Sequence, residues 1–200
     1  RIACPVRSAA AQVRCAGWNI VGQCGTGVMS PQVVAPSVVM KSDGAPLTDA
    51  RSLAAGATHT CAIVGADGRV ACWGSGANGE LGTGLPARVR PSAAEVPGVT
   101  GAVGLALHEA LSCAWRADGA AWCWGAWARR ADGTTAMTLD ATPHLTTFPP
   151  VRAMAANAVV LCALLRDGTV QCVGTNLLGA RADGAPLTPS TTVTTPRPVL

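Results

Sequence analysis

Residues 59–74 read His59-Thr60-Cys61-Ala62-Ile63-Val64-Gly65-Ala66-Asp67-Gly68-Arg69-Val70-Ala71-Cys72-Trp73-Gly74. Two short apolar runs flank a turn sequence, the pattern of a β-hairpin. A four-residue loop, Gly65-Ala66-Asp67-Gly68, sets Cys61 directly opposite Cys72. Directly opposed residues on antiparallel strands have Cα atoms about 4.5–5.5 Å apart, within reach of a disulfide.

The same arrangement occurs four times, as Cys4/Cys15, Cys61/Cys72, Cys113/Cys123 and Cys162/Cys172. Loop length follows cysteine spacing. The shorter third and fourth pairs keep the register with the three-residue loops Ala117-Asp118-Gly119 and Arg166-Asp167-Gly168, whose glycine suits a turn that needs positive φ. The first pair keeps it with Ser8-Ala9-Ala10-Ala11. Each second cysteine is followed by one residue and a glycine, and successive second cysteines lie 57, 51 and 49 residues apart. A period near fifty marks propeller blades or solenoid coils. Four cross-strand disulfides follow, and with them an oxidising compartment. Zinc favours closer spacings and four ligands converging on one point, which pairs confined to separate hairpins do not provide. Cys24 is left over. It aligns with Leu81 of the next repeat, which favours a buried apolar role over a reactive thiol or an interchain link.

His59-Thr60-Cys61-Ala62, Asp67-Gly68-Arg69-Val70-Ala71-Cys72-Trp73-Gly74 and Gly79-Glu80-Leu81-Gly82-Thr83-Gly84 together resemble the regulator of chromosome condensation repeat, in the cysteine-paired form typical of secreted bacterial proteins. The resemblance is clear again in the fourth repeat and partial in the first and third. It implies an all-β fold, a β-propeller whose normal ring has seven four-stranded blades. This chain holds about four repeats, approximately 1–50, 51–101, 102–151 and 152–200, in a single repeat domain 1–200. Seven blades would need on the order of 350 residues. The chain is therefore expected to be a fragment of a longer propeller, its remaining blades in the same parent chain, or else a permuted four-repeat unit. The motif histidine is present only as His59, with Leu111 and Val160 at the matching places, so a histidine site shared around the ring is not expected.

Composition agrees with short strands between turns: 23 glycines and 14 prolines would interrupt long helices. The net charge of +4 comes from scattered arginines, which points away from nucleic acid. No apolar run is long enough for a transmembrane helix. Gly74-Ser75-Gly76-Ala77-Asn78-Gly79 matches a dinucleotide fingerprint, but Gly82 to Pro86 cannot open the helix that motif needs. His108-Glu109-Ala110-Leu111-Ser112 lacks the second histidine of a zinc peptidase, and no nucleophile elbow is present. No catalytic, cofactor or metal residues are nominated. Gly56, His108 and Asn157, each five residues before a cysteine, are expected to share a left-handed turn conformation.

The expected function is that of a secreted, cell-surface or periplasmic module presenting propeller loops to a protein or surface polymer. The resemblance also allows a secreted enzyme inhibitor, such as a β-lactamase inhibitor, or the founding family's nucleotide exchange and chromatin binding. The third repeat departs most from the motif. It loses the glycine-rich tail and gains Trp115, Trp122, Trp127 and the pair Arg129-Arg130. Tryptophan and arginine are enriched at binding hot spots, which makes Trp127, Arg129 and Arg130 interaction candidates, with space-filling as the other reading of the tryptophans. Peptide mapping without reduction is expected to recover the pairs Cys4–Cys15, Cys61–Cys72, Cys113–Cys123 and Cys162–Cys172; a link between repeats would refute the register.

Overall fold

The computed structural model describes residues 2–3, 12–84, 88–126, 140–157, 160–175 and 192–199. Trp127, Arg129, Arg130 and Cys4 lie outside the described residues. The described residues form antiparallel sheets taken up in chain order. The first is β1 (Ile2–Ala3), β2 (Arg14–Asn19) and β3 (Ser30–Val38). The second is β4 (Ala50–Ala55), β5 (His59–Val64), β6 (Arg69–Ser75) and β7 (Val89–Glu95). The third is β8 (Ala102–His108), β9 (Leu111–Arg116), β10 (Ala121–Gly125) and β11 (Asp140–Leu145). The fourth is β12 (Val151–Ala156), β13 (Val160–Leu165), β14 (Val170–Thr175) and β15 (Thr192–Pro198).

Turn chemistry sets each hairpin register. Val64 pairs with Arg69 across the four-residue loop, and Leu164 with Val170 across the shorter one. In the third sheet, Arg116 N–H donates to the Ala120 carbonyl (2.8 Å) and Gly119 has φ 95°. The aspartate does a second job: Asp118 Oδ1 accepts from Ala120 N–H (3.0 Å) and Asp167 Oδ1 from Thr169 N–H (2.9 Å). Such side-chain turns mimic a backbone turn and favour Asp-Gly at a hairpin tip. With these loops in place, Cys61 faces Cys72, Cys113 faces Cys123 and Cys162 faces Cys172, each pair disulfide-bonded with Cα atoms 4.1 Å apart. Cys15 is also disulfide-bonded.

Side chains alternate across each strand, so the cysteines define one face and their neighbours the other. The cysteine face of one sheet packs on the opposite face of the next. Val13 and Cys15 meet Ala62, Ala71 and Trp73. Cys61, Ile63, Val70 and Cys72 meet Ala114 and Trp124. Cys113, Leu111 and Ala121 meet Leu161, Ala163 and Val173. The first strands β4, β8 and β12 lie side by side, as the inner strands of a propeller arc do.

The shared left-handed turn is not found. Gly56, His108 and Asn157 are not among the described residues with positive φ; Asp49 (58°) and Glu109 (33°) are the non-glycine ones. His108 still pairs with Leu111 in the β8–β9 ladder, so it ends the strand and Glu109 makes the turn. Gly56 and Asn157 likewise donate their N–H to the carbonyls of His59 and Val160 (both 2.9 Å). Gly56 is glycine for a different reason: a Cβ there would stand 2.6 Å from the His59 ring.

Two extra tryptophans of the third repeat have structural work. Trp115 lies opposite Gly104 in the β8–β9 ladder and joins the cluster between the third and fourth sheets. Trp122 packs against the cluster between the second and third, with the Arg116 guanidinium 5.9 Å from its ring centre. A Cβ on Gly104 would fall inside the Trp115 indole. Gly104→Ala is therefore expected to destabilise by roughly 1–3 kcal/mol, as overpacking does. Urea unfolding should show the loss, and adding Trp115→Val should recover part of it; an unchanged midpoint would refute the contact.

Candidate functional site

Among the described residues, two glycine-rich tails leave the strands that carry the second cysteine, β2 and β6, and reach the next sheet. In the first tail, Gln23 Oε1 accepts from Val21 N–H (3.0 Å); in the second, Glu80 Oε2 accepts from Asn78 N–H (2.7 Å). These side-chain loops hold the backbone so that one carbonyl points at the neighbour. Thr60 Oγ1 (3.1 Å) and Trp73 Nε1 (3.0 Å) both donate to the Gln23 carbonyl. Ser112 Oγ (2.8 Å) and Trp124 Nε1 (2.9 Å) both donate to the Glu80 carbonyl. The donors are cross-strand partners, Thr60 with Trp73 and Ser112 with Trp124, one step from the disulfide. Gly25 and Gly82 admit the indoles: a Cβ at either would stand 2.7 Å from a tryptophan Nε1.

His59 joins the second latch, with Nε2 2.8 Å from Ser112 Oγ. A histidine beside a serine invites a catalytic reading, which the hydrogen-bond count opposes. Ser112 has one proton, already directed at the Glu80 carbonyl. His59 must therefore donate from Nε2, which leaves Nδ1 bare, and Nδ1 is buried without a partner. Both side chains are inaccessible to solvent. Burial lowers the His59 pKa to about 4, and the Glu109 backbone, a partner for a protonated Nδ1, only partly opposes this. The pair is a buried junction, with no base aimed at a nucleophile.

Cys24 is buried and free, with its Sγ 3.3 Å from the Trp18 carbonyl, and burial raises its pKa. It packs beside Trp73 in the first junction, as its alignment with Leu81 implies. A cleft of about 420 Å³ near the first junction is lined by Lys41, Asp43, Asp49, Arg69 and Glu95. Four of these charges are paired, Lys41 with Asp43 at 3.3 Å and Arg69 with Glu95, and Arg69 pairs also with nearby Asp67.

The outer surface is more distinctive. Trp18, Ile20, Val28, Met29 and Val34 are exposed large apolar residues, all on or beside β2 and β3. Trp18 is 58% exposed and Val34 83%. Asn19 gathers the ends of this segment by donating from Nδ2 to the Val28 carbonyl (2.9 Å) and to Ser30 Oγ (3.1 Å). Exposed apolar side chains scattered singly are ordinary, whereas five on two paired strands and the segment that joins them make a candidate contact surface. Sequence reasoning looked for binding in the third repeat and missed this patch, whose signal was the apolar Trp18-Asn19-Ile20-Val21 and Val28-Met29 within a polar-tipped motif.

The family profile of the regulator of chromosome condensation (RCC1) repeat matches residues 50–80. No curated protein matches the sequence. Among solved structures, human WBSCR16 superposes with a TM-score of 0.77 at 23% identity, over 100% of this chain and 50% of that one. Yeast RCC1 (Prp20), solved bound to Kap60, gives 0.71 at 18% identity over 93% of this chain and 44% of that one. A second structure of Prp20p from Saccharomyces cerevisiae, described with its binding to Gsp1p and histones, gives 0.71 at 18% identity, over 95% and 46%. The chain thus spans about half the length of these structures, and shares their fold.

The latch makes His59 an acid-sensitive element. Its pKa is about 4 in the folded chain and near 6.5 when unfolded, so the unfolded state binds the extra proton first. Stability from this group is complete above about pH 6.5 and is lost as pH falls toward 4, by about 3 kcal/mol in all. Urea midpoints between pH 7 and 4.5 should fall in the native chain and change less in His59→Leu; equal slopes would show that His59 does not titrate this way.

Proposed function

We propose that this chain, which carries a regulator of chromosome condensation repeat on a partial β-propeller, is a non-catalytic protein-interaction module of an oxidising compartment, secreted or at the cell surface. The observation that carries this reading is the apolar cluster of Trp18, Ile20, Val28, Met29 and Val34 on a rigid, disulfide-stapled scaffold. Tryptophan offers large contact area at low conformational cost and dominates many interface hot spots. A scaffold whose hairpins are closed covalently loses little further freedom on binding.

The paired cysteines support an oxidising compartment. Disulfides persist outside the reducing cytosol, which favours this reading over the nucleotide-exchange role that the family resemblance also implies. A secreted enzyme inhibitor is one form the module could take, since it needs a contact surface and no chemistry.

The test is capture from culture supernatant on the immobilised chain, with the bound species identified. Trp18→Ser combined with Val34→Ser is expected to weaken capture at least tenfold, since loss of a tryptophan hot spot costs about 2 kcal/mol or more. Both residues are exposed, so stability should change by less than about 0.5 kcal/mol. Undiminished capture by the double variant would overturn the patch as the contact surface.

A further inference from the structure

The inner strands share an irregularity. In each of β4, β8 and β12 the ladder slips by one residue near the start: between Ala50 and Ser52, between Ala102 and Gly104, and between Val151 and Ala153. The extra residues are Arg51, Val103 and Arg152, and all three are exposed. Bulges at homologous places re-aim a side chain out of the pleat. Because β4, β8 and β12 lie side by side, they form a row with Val103 between two arginines.

Its charge is not neutralised locally. The three strands, Ala50–Ala55, Ala102–His108 and Val151–Ala156, contain no aspartate or glutamate. Arg51 and Arg152 make no ion pair among the described residues. Nearby carboxylates are committed elsewhere: Asp67 to Arg69 (2.9 Å), Asp118 to Arg116 (3.4 Å) and Asp167 to Thr169. Asp49 lines the cleft near the first junction and accepts a hydrogen bond from Thr48 (3.4 Å). Arg69 and Arg116, by contrast, are held by carboxylates.

We infer that the bulge row Arg51–Val103–Arg152 at the inner edge of the arc is a binding surface for an acidic polypeptide segment, in which carboxylates flank an apolar side chain. Guanidinium groups engage carboxylates through paired hydrogen bonds, and Val103, 56% exposed, receives the apolar residue between them. Nucleic acid is disfavoured, since its binding rests on many phosphate contacts, about 6–10 in strong binders, and this row offers two cations separated by valine. The inference rests on the reading of the chain as an interaction module, but uses a surface separate from Trp18 and Val34.

The test measures fluorescence anisotropy of a labelled peptide of repeating Glu-Val-Glu, at low and at physiological salt. A Lys-Val-Lys peptide and a ten-nucleotide single-stranded DNA serve as comparisons. The native chain is expected to bind the acidic peptide, with affinity falling as salt rises, and to bind both comparisons at least tenfold more weakly. Arg51→Ser with Arg152→Ser should reduce affinity for the acidic peptide at least tenfold, and the Arg→Lys pair by a smaller factor. Arg69→Ser should leave it unchanged. Failure of the native chain to bind the acidic peptide, equal loss in Arg69→Ser, or equal binding of the oligonucleotide would each overturn the inference. Thermal melting of each variant identifies unfolding, in which case the Arg→Lys pair decides. The Trp18→Ser/Val34→Ser variant should retain peptide binding, so failure of the apolar patch and failure of the arginine row are distinguishable.

Discussion

A single backbone carbonyl at each latched junction holds adjacent sheets in place. The Glu80 carbonyl accepts from a serine and a tryptophan of the next sheet, and the Gln23 carbonyl from a threonine and a tryptophan. A carbonyl has two acceptor sites, so each latch is saturated. Because the acceptor belongs to the backbone, identity is demanded of the surroundings: a hydroxyl before the first cysteine, a tryptophan after the second, and a glycine two residues beyond the acceptor. These positions lie up to about fifty residues apart, yet they depend on one another. A buried indole or hydroxyl without its carbonyl would cost about 1–3 kcal/mol.

The third-to-fourth junction shows that dependence. There the donor positions carry Leu161 and Val173, which pair across the hairpin as Ser112 and Trp124 do in the preceding sheet. Both are buried in an apolar cluster with Val151, Met154 and Leu165. Counted from the second cysteine, the segment after β10 reads Arg130-Ala131-Asp132-Gly133 where the one after β6 has Gly79-Glu80-Leu81-Gly82. Loss of the acceptor motif in one repeat thus goes with loss of both donors in the next. Apolar packing takes over, and Trp115 and Phe148 supply bulk that the alanine-rich strands lack. The disulfides answer a related shortage. Cores built from Ala, Cys and Val bury little area per residue, and each bond closes a hairpin of 10 or 11 residues, worth roughly 2–3 kcal/mol at best.

Hairpin register was legible because it depends on local quantities, loop length and turn chemistry, that a sequence displays directly. Asp118-Gly119 and Asp167-Gly168 announce both the glycine conformation and the capping carboxylate. The left-handed turn expected at His108 lies one residue on, at Glu109. Gly56, His108 and Asn157 share a property in isolation, tolerance of positive φ, but pairing of His108 with Leu111 keeps it extended and moves the turn to Glu109. The latch was illegible for a different reason: its acceptor is a peptide group, identical at every residue. Only the matched pairs Thr60/Trp73 and Ser112/Trp124 hinted at it. The bulges were hidden as well, since the extra residue in Ala50-Arg51-Ser52 carries no mark of its own in one sequence.

Junction and surface place opposite demands on a repeat, and this divides the chain into positions that must agree and positions free to differ. Pro91 illustrates the first kind: a Cβ on Gly22 would stand 2.5 Å from its Cα, so the first tail presses against β7. Val34 holds the corresponding place in β3, since Val33 faces Gly17 as Arg90 faces Gly74. Among the described residues no tail covers it, and it is the most exposed of the large apolar side chains there. Any surface that covers it, a further blade of the same parent chain or a separate partner, must supply what the first tail supplies at Pro91, a close, flat, nearly side-chain-free approach over an apolar strand. That requirement favours a folded protein surface over a flexible polymer, because only a pre-shaped surface brings such an approach without a large ordering cost.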